Sequence, residues 1–212
     1  MDQEDPLLAY RAQHKERLAW MPYLYDSLKP QHKTWAVEWQ REVQARFAFL
    51  ETVTFGADCF VAPSAHLFAE PGRAITAADG CRIGAEVFLH GPITLANNVS
   101  INPRCTLDGR AAGITVGEGT RIATGCYLFA FNHELDPSRP IRDQPVHSQG
   151  ITVGADVWLG ANAGVTDGVT IGDHAVVGMG SVVTRDAAPW AVVGGVPACV
   201  LGDRRDKKYR RV

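Results

Sequence analysis

An aliphatic residue recurs at every sixth position through most of the second half of this 212-residue chain. The clearest run is Val153, Leu159, Val165, Ile171, Val177 and Val183, with glycine directly after four of them, at 154, 160, 172 and 178. Helices repeat every 3.6 residues and strands every two. Neither gives a period of six with glycine after the aliphatic position. A coil built from six-residue sides does, so this is the pattern of a repeat protein. Earlier sets keep the spacing: Phe55, Val61 and Leu67; Ile83, Leu89, Leu95, Ile101 and Leu107; Val116, Ile122 and Leu128. Three such sides close a triangular coil of about eighteen residues. Stacked coils bury the slot residues in a narrow prism, each contributing roughly 1.5–3 kcal/mol. The residue after each slot is expected to make the turn, which suits glycine and also Asn102 and Asp108.

The phase breaks three times. Residues 68–82 and 108–115 read as short insertions, and 129–152 as a long, polar one with prolines. A solenoid accepts insertions at its corners because each coil touches only its neighbours, and such loops commonly carry function. The first fifty residues differ. Trp35, Trp39, Val43 and Phe47 recur at i+4 among polar residues, with Pro30 near the start. That predicts an amphipathic helix whose aromatic stripe packs on the rest of the protein. A shorter helix is expected over about residues 5–19, with 21–30 as the connection. The expected organisation is a helical segment over 1–50, a β-helix over 51–188 with the insertion 129–152, and a C-terminal extension over 189–212.

Composition narrows the classes. The chain is 46% hydrophobic, enough for a core, and its net charge of −2 offers no general attraction to nucleic acid or membrane. No apolar run approaches the ~18 residues of a spanning helix. Residues 1–5 are acidic and lack the core of a signal peptide. The five cysteines (59, 81, 105, 126 and 199) form no CxxC pair, so no structural zinc site is expected. They read as reduced thiols of a cytoplasmic protein, several filling the core as small hydrophobes.

The stretch Ile151-Thr152-Val153-Gly154-Ala155-Asp156-Val157-Trp158-Leu159-Gly160 continues through Gly168-Val169-Thr170-Ile171-Gly172-Asp173 and Gly178-Met179-Gly180-Ser181-Val182-Val183-Thr184-Arg185-Asp186. It closes with Val193-Gly194-Gly195-Val196-Pro197-Ala198. This pattern resembles the hexapeptide-repeat acyltransferases, most of all the maltose/galactoside O-acetyltransferase group, over roughly residues 83–201. The resemblance implies a mainly β fold, a left-handed parallel β-helix, although the usual crossover rule would favour the right hand. It also implies a CoA-dependent O-acetyltransferase that uses acetyl-CoA, requires no metal and is typically a homotrimer with sites between subunits.

Acyl transfer from a thioester to a hydroxyl needs a base, because the alcohol proton must leave as attack proceeds. Histidine, whose imidazole ordinarily titrates near ~6.5, suits the task. Of the seven histidines only His133 stands at the start of the long insertion. The segment Asn132-His133-Glu134-Leu135-Asp136-Pro137 resembles the family's catalytic loop, which makes His133 the general base. The resemblance places a substrate-binding asparagine at Asn102, although Pro103-Arg104-Cys105 departs from the family texture and a turn role is the alternative. Asp108 is a second candidate for a sugar hydroxyl, again against a turn role. No Ser or Cys sits in a partnered nucleophile motif, which points to direct transfer in a ternary complex.

Residues matching the family's CoA contacts are Ala161, Gly178, Thr184 and Arg185, and a backbone N–H near Gly160 or Ala161 is the expected oxyanion donor. Trp158 precedes a slot, so it points outward, against CoA or a neighbouring subunit. Beyond the Val-Pro element the family's basic residues are replaced here by Cys199 and Gly202. Arg204 or Arg205 is the candidate substitute, within a basic run that includes Lys207, Lys208, Arg210 and Arg211 and for which a solvated tail is the alternative reading. The expected acceptor is a saccharide hydroxyl, with an amino sugar or a xenobiotic as alternatives. A zinc hydratase on the same fold would need a His-x4-His pair, which the chain lacks. A non-catalytic scaffold is the other competing reading.

Overall fold

The computed structural model describes residues 6–209, so the acidic start and the basic pair Arg210 and Arg211 lie outside the described residues. Short strands stack into three parallel sheets that form the sides of a prism. The first contains Val53–Phe55, Ile75–Ala77, Ile93–Leu95, Ile114–Val116, Ile151–Val153 and Thr170–Ile171. The second contains Phe60–Val61, Arg82–Ile83, Ser100–Ile101, Arg121–Ile122, Trp158–Leu159 and Val176–Val177, then Ala191–Gly195. The third contains His66–Phe68, Phe88–His90, Thr106–Asp108, Tyr127–Phe129, Gly164–Val165 and Val182–Val183. The fold is therefore a parallel β-helix of six coils.

Every slot residue of the six-residue period is buried in one cluster except Phe55, which is half-buried and packs against it. A second inward row lies two residues before each slot. On the first sheet it is Val53, Ile75, Ile93, Ile114 and Ile151. On the other two it takes small residues, and four of the cysteines stand there. Cys59, Cys81, Cys105 and Cys126 are buried, and each thiol donates to a carbonyl of the next coil 3.0–3.1 Å away. Small, weakly polar side chains suit these cramped positions.

Two sequence expectations change. The first concerns the breaks. Phe55 pairs with Ala77, Leu95 with Val116, and Val116 with Val153. Residues 68–82 therefore contain the first-sheet strand Ile75–Ala77, and 108–115 run into the strand Ile114–Val116. The coils that hold them are only four and three residues longer than eighteen. Ala77 fills its slot with too small a side chain to mark the phase.

The second concerns turn chemistry. The residue after the slot does not adopt positive φ at 154, 160, 172 or 178, nor at Asn102 or Asp108. At two of the three corners the left-handed residue comes three positions after the slot, as at Asn98, Asp156, Asn162, His174 and Gly180. Glycine after the slot answers a different need. A Cβ on Gly154 would lie 2.6 Å from the Asp173 nitrogen, and one on Gly172 2.5 Å from the Pro189 nitrogen. Adjacent coils approach too closely there for a side chain.

An open solenoid end exposes unpaired strand edges and needs a cap. Helix α1 (Pro6–Trp20) and helix α2 (Pro30–Leu50) supply one. Gln40 of α2 is buried; its Nε2 donates to the Val61 carbonyl at 3.1 Å and its Oε1 accepts from the Val61 N–H at 2.8 Å. The amide thus imitates a neighbouring strand. Gln44 Nε2 donates to the Cys59 carbonyl at 2.8 Å. Val43 and Phe47 plug the prism core, while Trp35 and Trp39 pack against Leu18, Tyr25 and Phe60. At the other end the antiparallel strand Ala198–Asp203 closes the second sheet. Among the described residues no helix is long and apolar enough to cross a membrane.

Candidate active site

The long insertion leaves the third sheet after Phe129 and rejoins the first at Ile151. Its two arms pair, with Asn132 opposite His147 and His133 opposite Val146. The root is pinned by Ser148, whose hydroxyl donates to the Ala130 carbonyl at 2.6 Å and accepts from the Ala112 N–H at 2.9 Å. Asp167 accepts the N–H groups of Gln149 and Gly150, each at 2.9 Å. Farther out, buried Gln144 braces the tip. Its Nε2 donates to the carbonyls of Asp136 and Arg139 at 2.9 and 2.7 Å, and its Oε1 accepts the Asp136 N–H at 2.8 Å. A loop cross-linked in this way is a rigid support for a reacting group.

His133 is exposed on this hairpin. Its ring meets Phe131 edge-on, with centroids 6.5 Å apart. Phe131 also meets Phe129 at 5.8 Å, and the Arg110 guanidinium lies 5.7 Å from its centroid. Asp108 is the strand partner of Phe129, one coil below the loop's root. Its Oδ1 accepts the Arg110 N–H at 3.0 Å and meets His90 Nδ1 at 3.0 Å. His90 Nε2 in turn reaches Glu70 Oε1 at 3.3 Å. Asp108 therefore both shapes its turn and anchors a polar chain beside the loop. Sequence reasoning did not single out His90, Arg110 or Phe131 as site neighbours. One signal was available: His90 stands eighteen residues before Asp108, one plain coil.

Asn102 occupies a different edge. The backbone N–H of Asn102 donates to Ile122, that of Ala123 to Leu159, that of Gly160 to Val177 and that of Gly178 to Val193. Asn102, Ala123, Gly160 and Gly178 thus form one column along the edge that leads from the second sheet to the third. Above Asn102 the column carries no side chain larger than methyl, so it is a shallow groove.

The two glycines differ. A Cβ on Gly160 would sit 2.6 Å from the Met179 nitrogen, so the next coil alone explains that glycine. A Cβ on Gly178 would find its nearest neighbour, Ser181 Oγ, at an ordinary 3.4 Å. The Gly160 N–H is spent on Val177 at 2.8 Å, whereas among the described residues none accepts the Ala161 N–H. Trp158, 51% exposed, flanks the groove between Arg121 and Val176. Thr184 and Arg185 are exposed just past the last strand of the third sheet.

The structure gathers His133 with Asp108, and Asn102 with Gly160, Ala161 and Gly178. Within one chain the third sheet separates the two sets. Among the described residues no group of three or more His, Cys, Asp or Glu is placed to hold a metal ion.

Residues 150–185 match the model of the hexapeptide repeat of succinyl-transferase. The putative lipopolysaccharide biosynthesis O-acetyl transferase WbbJ of Escherichia coli (strain K12) is 31% identical over 146 residues, 65% of this chain and 70% of that protein. A chloramphenicol acetyltransferase of Morganella morganii is 50% identical over 113 residues, 52% of this chain and 54% of its own length. The chain spans about half the length of most of the curated relatives it matches. Among solved structures, a hexapeptide-repeat acetyltransferase from Vibrio cholerae O1 biovar eltor, VCA0836, complexed with acetyl coenzyme A, superposes with a TM-score of 0.55. It is 25% identical and covers 97% of this chain and 93% of that one.

Proposed function

Since the chain belongs to the hexapeptide-repeat acyltransferases, we propose that it moves an acetyl group from acetyl-CoA to a hydroxyl of a saccharide, with His133 as general base. The observation that carries this reading is the cross-braced hairpin that holds an exposed histidine beside an aromatic wall. In the reaction, the imidazole takes the hydroxyl proton as the oxygen attacks the thioester carbon. The tetrahedral intermediate then collapses, breaking the C–S bond, and the imidazolium returns the proton to the departing thiolate. No acyl-enzyme forms. The carbonyl oxygen gains negative charge during attack, and the Ala161 N–H is the donor in position to receive it.

Acetyl-CoA lies along the groove of Ala123, Gly160 and Gly178, where backbone is open to close approach. Trp158 walls the groove, and Thr184 and Arg185 contact the donor. Asn102, at the foot of the groove, binds the acceptor. The base and the groove stand on opposite edges of one sheet, so the working site needs two subunits. A homotrimer of flat-sided prisms brings one subunit's His133 edge to the next subunit's groove. The five free cysteines fit a cytoplasmic setting.

The likeness to VCA0836 with its bound acetyl coenzyme A supports the acetyl donor, and the similarity to WbbJ, a putative lipopolysaccharide biosynthesis O-acetyl transferase, supports a saccharide acceptor. A xenobiotic hydroxyl is the second reading, favoured by the 50% identity to a chloramphenicol acetyltransferase. Thiol release from acetyl-CoA, measured against saccharides, amino sugars and chloramphenicol, tests both readings. Turnover confined to chloramphenicol would replace the saccharide, and turnover confined to amines would replace O-acetylation.

A further inference from the structure

A cavity of about 400 Å³ opens beside the root of the catalytic loop, lined by Arg73, Arg110 and Ala111. Its chemistry is cationic. Among the described residues the Arg110 guanidinium has no carboxylate within ion-pair distance; its neighbour is the face of Phe131. Arg73 reaches across and donates through Nη2 to the Arg110 carbonyl. Its Nε is buried and lacks a partner.

Among the described residues only Arg73 of this pair has an ion-pair partner, and that contact is long. Glu70 is 3.8 Å from Arg73 and is shared with His90. The Oδ1 of Asp108 is occupied by His90 and by the Arg110 N–H. The exposed guanidinium of Arg110 is the group an incoming anion meets first. Guanidinium groups are matched to carboxylate and phosphate oxygens. Phe131 is the common neighbour of Arg110 and His133, so the two are no farther apart than those ring contacts laid end to end. One or two sugar rings span such a gap.

From this we infer that the acceptor is an anionic saccharide, whose carboxylate or phosphate docks on Arg73 and Arg110 while its hydroxyl faces His133. The inference rests on the acetyltransferase reading and adds the acceptor's charge. Two sources of the anion, a uronic acid and a sugar phosphate, share this chemistry.

The test measures acetyl transfer to a uronide, a sugar phosphate and their neutral parent sugar. The expected kcat/KM is at least tenfold higher for one or both anions than for the neutral parent, and the favoured arm identifies the anion. Arg110→Gln and Arg73→Gln each cut the anionic-to-neutral ratio at least tenfold, and Arg110→Lys restores part of it. KM for acetyl-CoA stays within twofold in all three. Transfer without preference for anions would overturn the inference and leave the acetyltransferase reading standing. So would a rise confined to the KM for acetyl-CoA, which would give the cleft to the donor. If no saccharide is acetylated, calorimetric binding of the uronide and the sugar phosphate decides. Binding that Arg110→Gln weakens tenfold supports the anion site, and no binding overturns it.

Discussion

Gly160 and Gly178 occupy equivalent positions one coil apart, yet a single methyl should affect them in opposite ways. At Gly160 a Cβ would stand 2.6 Å from the Met179 nitrogen and 2.9 Å from the Gly178 carbonyl carbon. Non-bonded heavy atoms prefer roughly 3.5–4.0 Å, so two coils must part by most of an ångström. Both neighbours are backbone, which cannot swing aside. Overpacking of this kind costs about 1–3 kcal/mol. In a chain of this size that is a fall of roughly 2–4 °C in Tm for each kcal/mol.

At Gly178 the methyl finds its nearest neighbours at 3.4 and 3.5 Å, and the backbone φ is not left-handed. Gly178→Ala should therefore be neutral or gain about 0.4–1 kcal/mol from a stiffer unfolded chain. Its penalty should fall on the donor instead, as a KM for acetyl-CoA raised several-fold with melting unchanged. Thermal melts of the two variants, with donor kinetics on Gly178→Ala, decide the matter. If Gly178→Ala melts as low as Gly160→Ala, or binds acetyl-CoA as the parent does, the separation of packing from site is refuted.

Other consequences follow from the same geometry. His133→Ala should lower kcat by roughly 10²–10⁴-fold with Tm unchanged, because the ring is exposed on the hairpin. Gln144→Leu removes three hydrogen bonds from the loop tip. Faster amide exchange confined to residues 134–147, together with a lower kcat, is the expected result; unchanged exchange would show that the amide does not brace the loop. The pKa of His14 is lowered from 6.5 by burial, then by the charges of His32 and Arg17. A proton binds more tightly to the unfolded chain there, so stability is full above about 6.5 and declines as pH falls through the depressed value. His14→Gln should flatten the acid limb of a tryptophan-fluorescence titration, since Trp35 lies 5.6 Å from the His14 ring.

The period of six was enough to locate most of the core, because every slot faces the same prism interior and each coil touches only its neighbours. Legibility ended where side chains were small. Ala77 fills a slot without announcing it, so the break at 68–82 reads as longer than it is. The glycines misled in another way: their position after the slot suggests a turn, but their cause is a coil pressing on the backbone from eighteen residues away. The candidate site's residues could be named one by one from the sequence, but their arrangement could not. His133 and Asn102 belong to separate edges, and only the three-sided path of the chain reveals that. Arg73 and Arg110 sit in two breaks of the phase 37 residues apart, and only the stacking of coils brings them together.

Direct acetyl transfer promoted by His133 yields free thiol and acetylated sugar in step, with no acetylated protein between them. It is tested by mixing acetyl-CoA, the saccharide panel and either the parent protein or His133→Ala, then following free thiol and acetylated sugar by mass. Equal amounts of both products, no acetylated protein and a rate at least a hundredfold lower in the variant are expected. Acetylated protein that forms before the sugar product, or a variant as fast as the parent, would contradict direct transfer by His133.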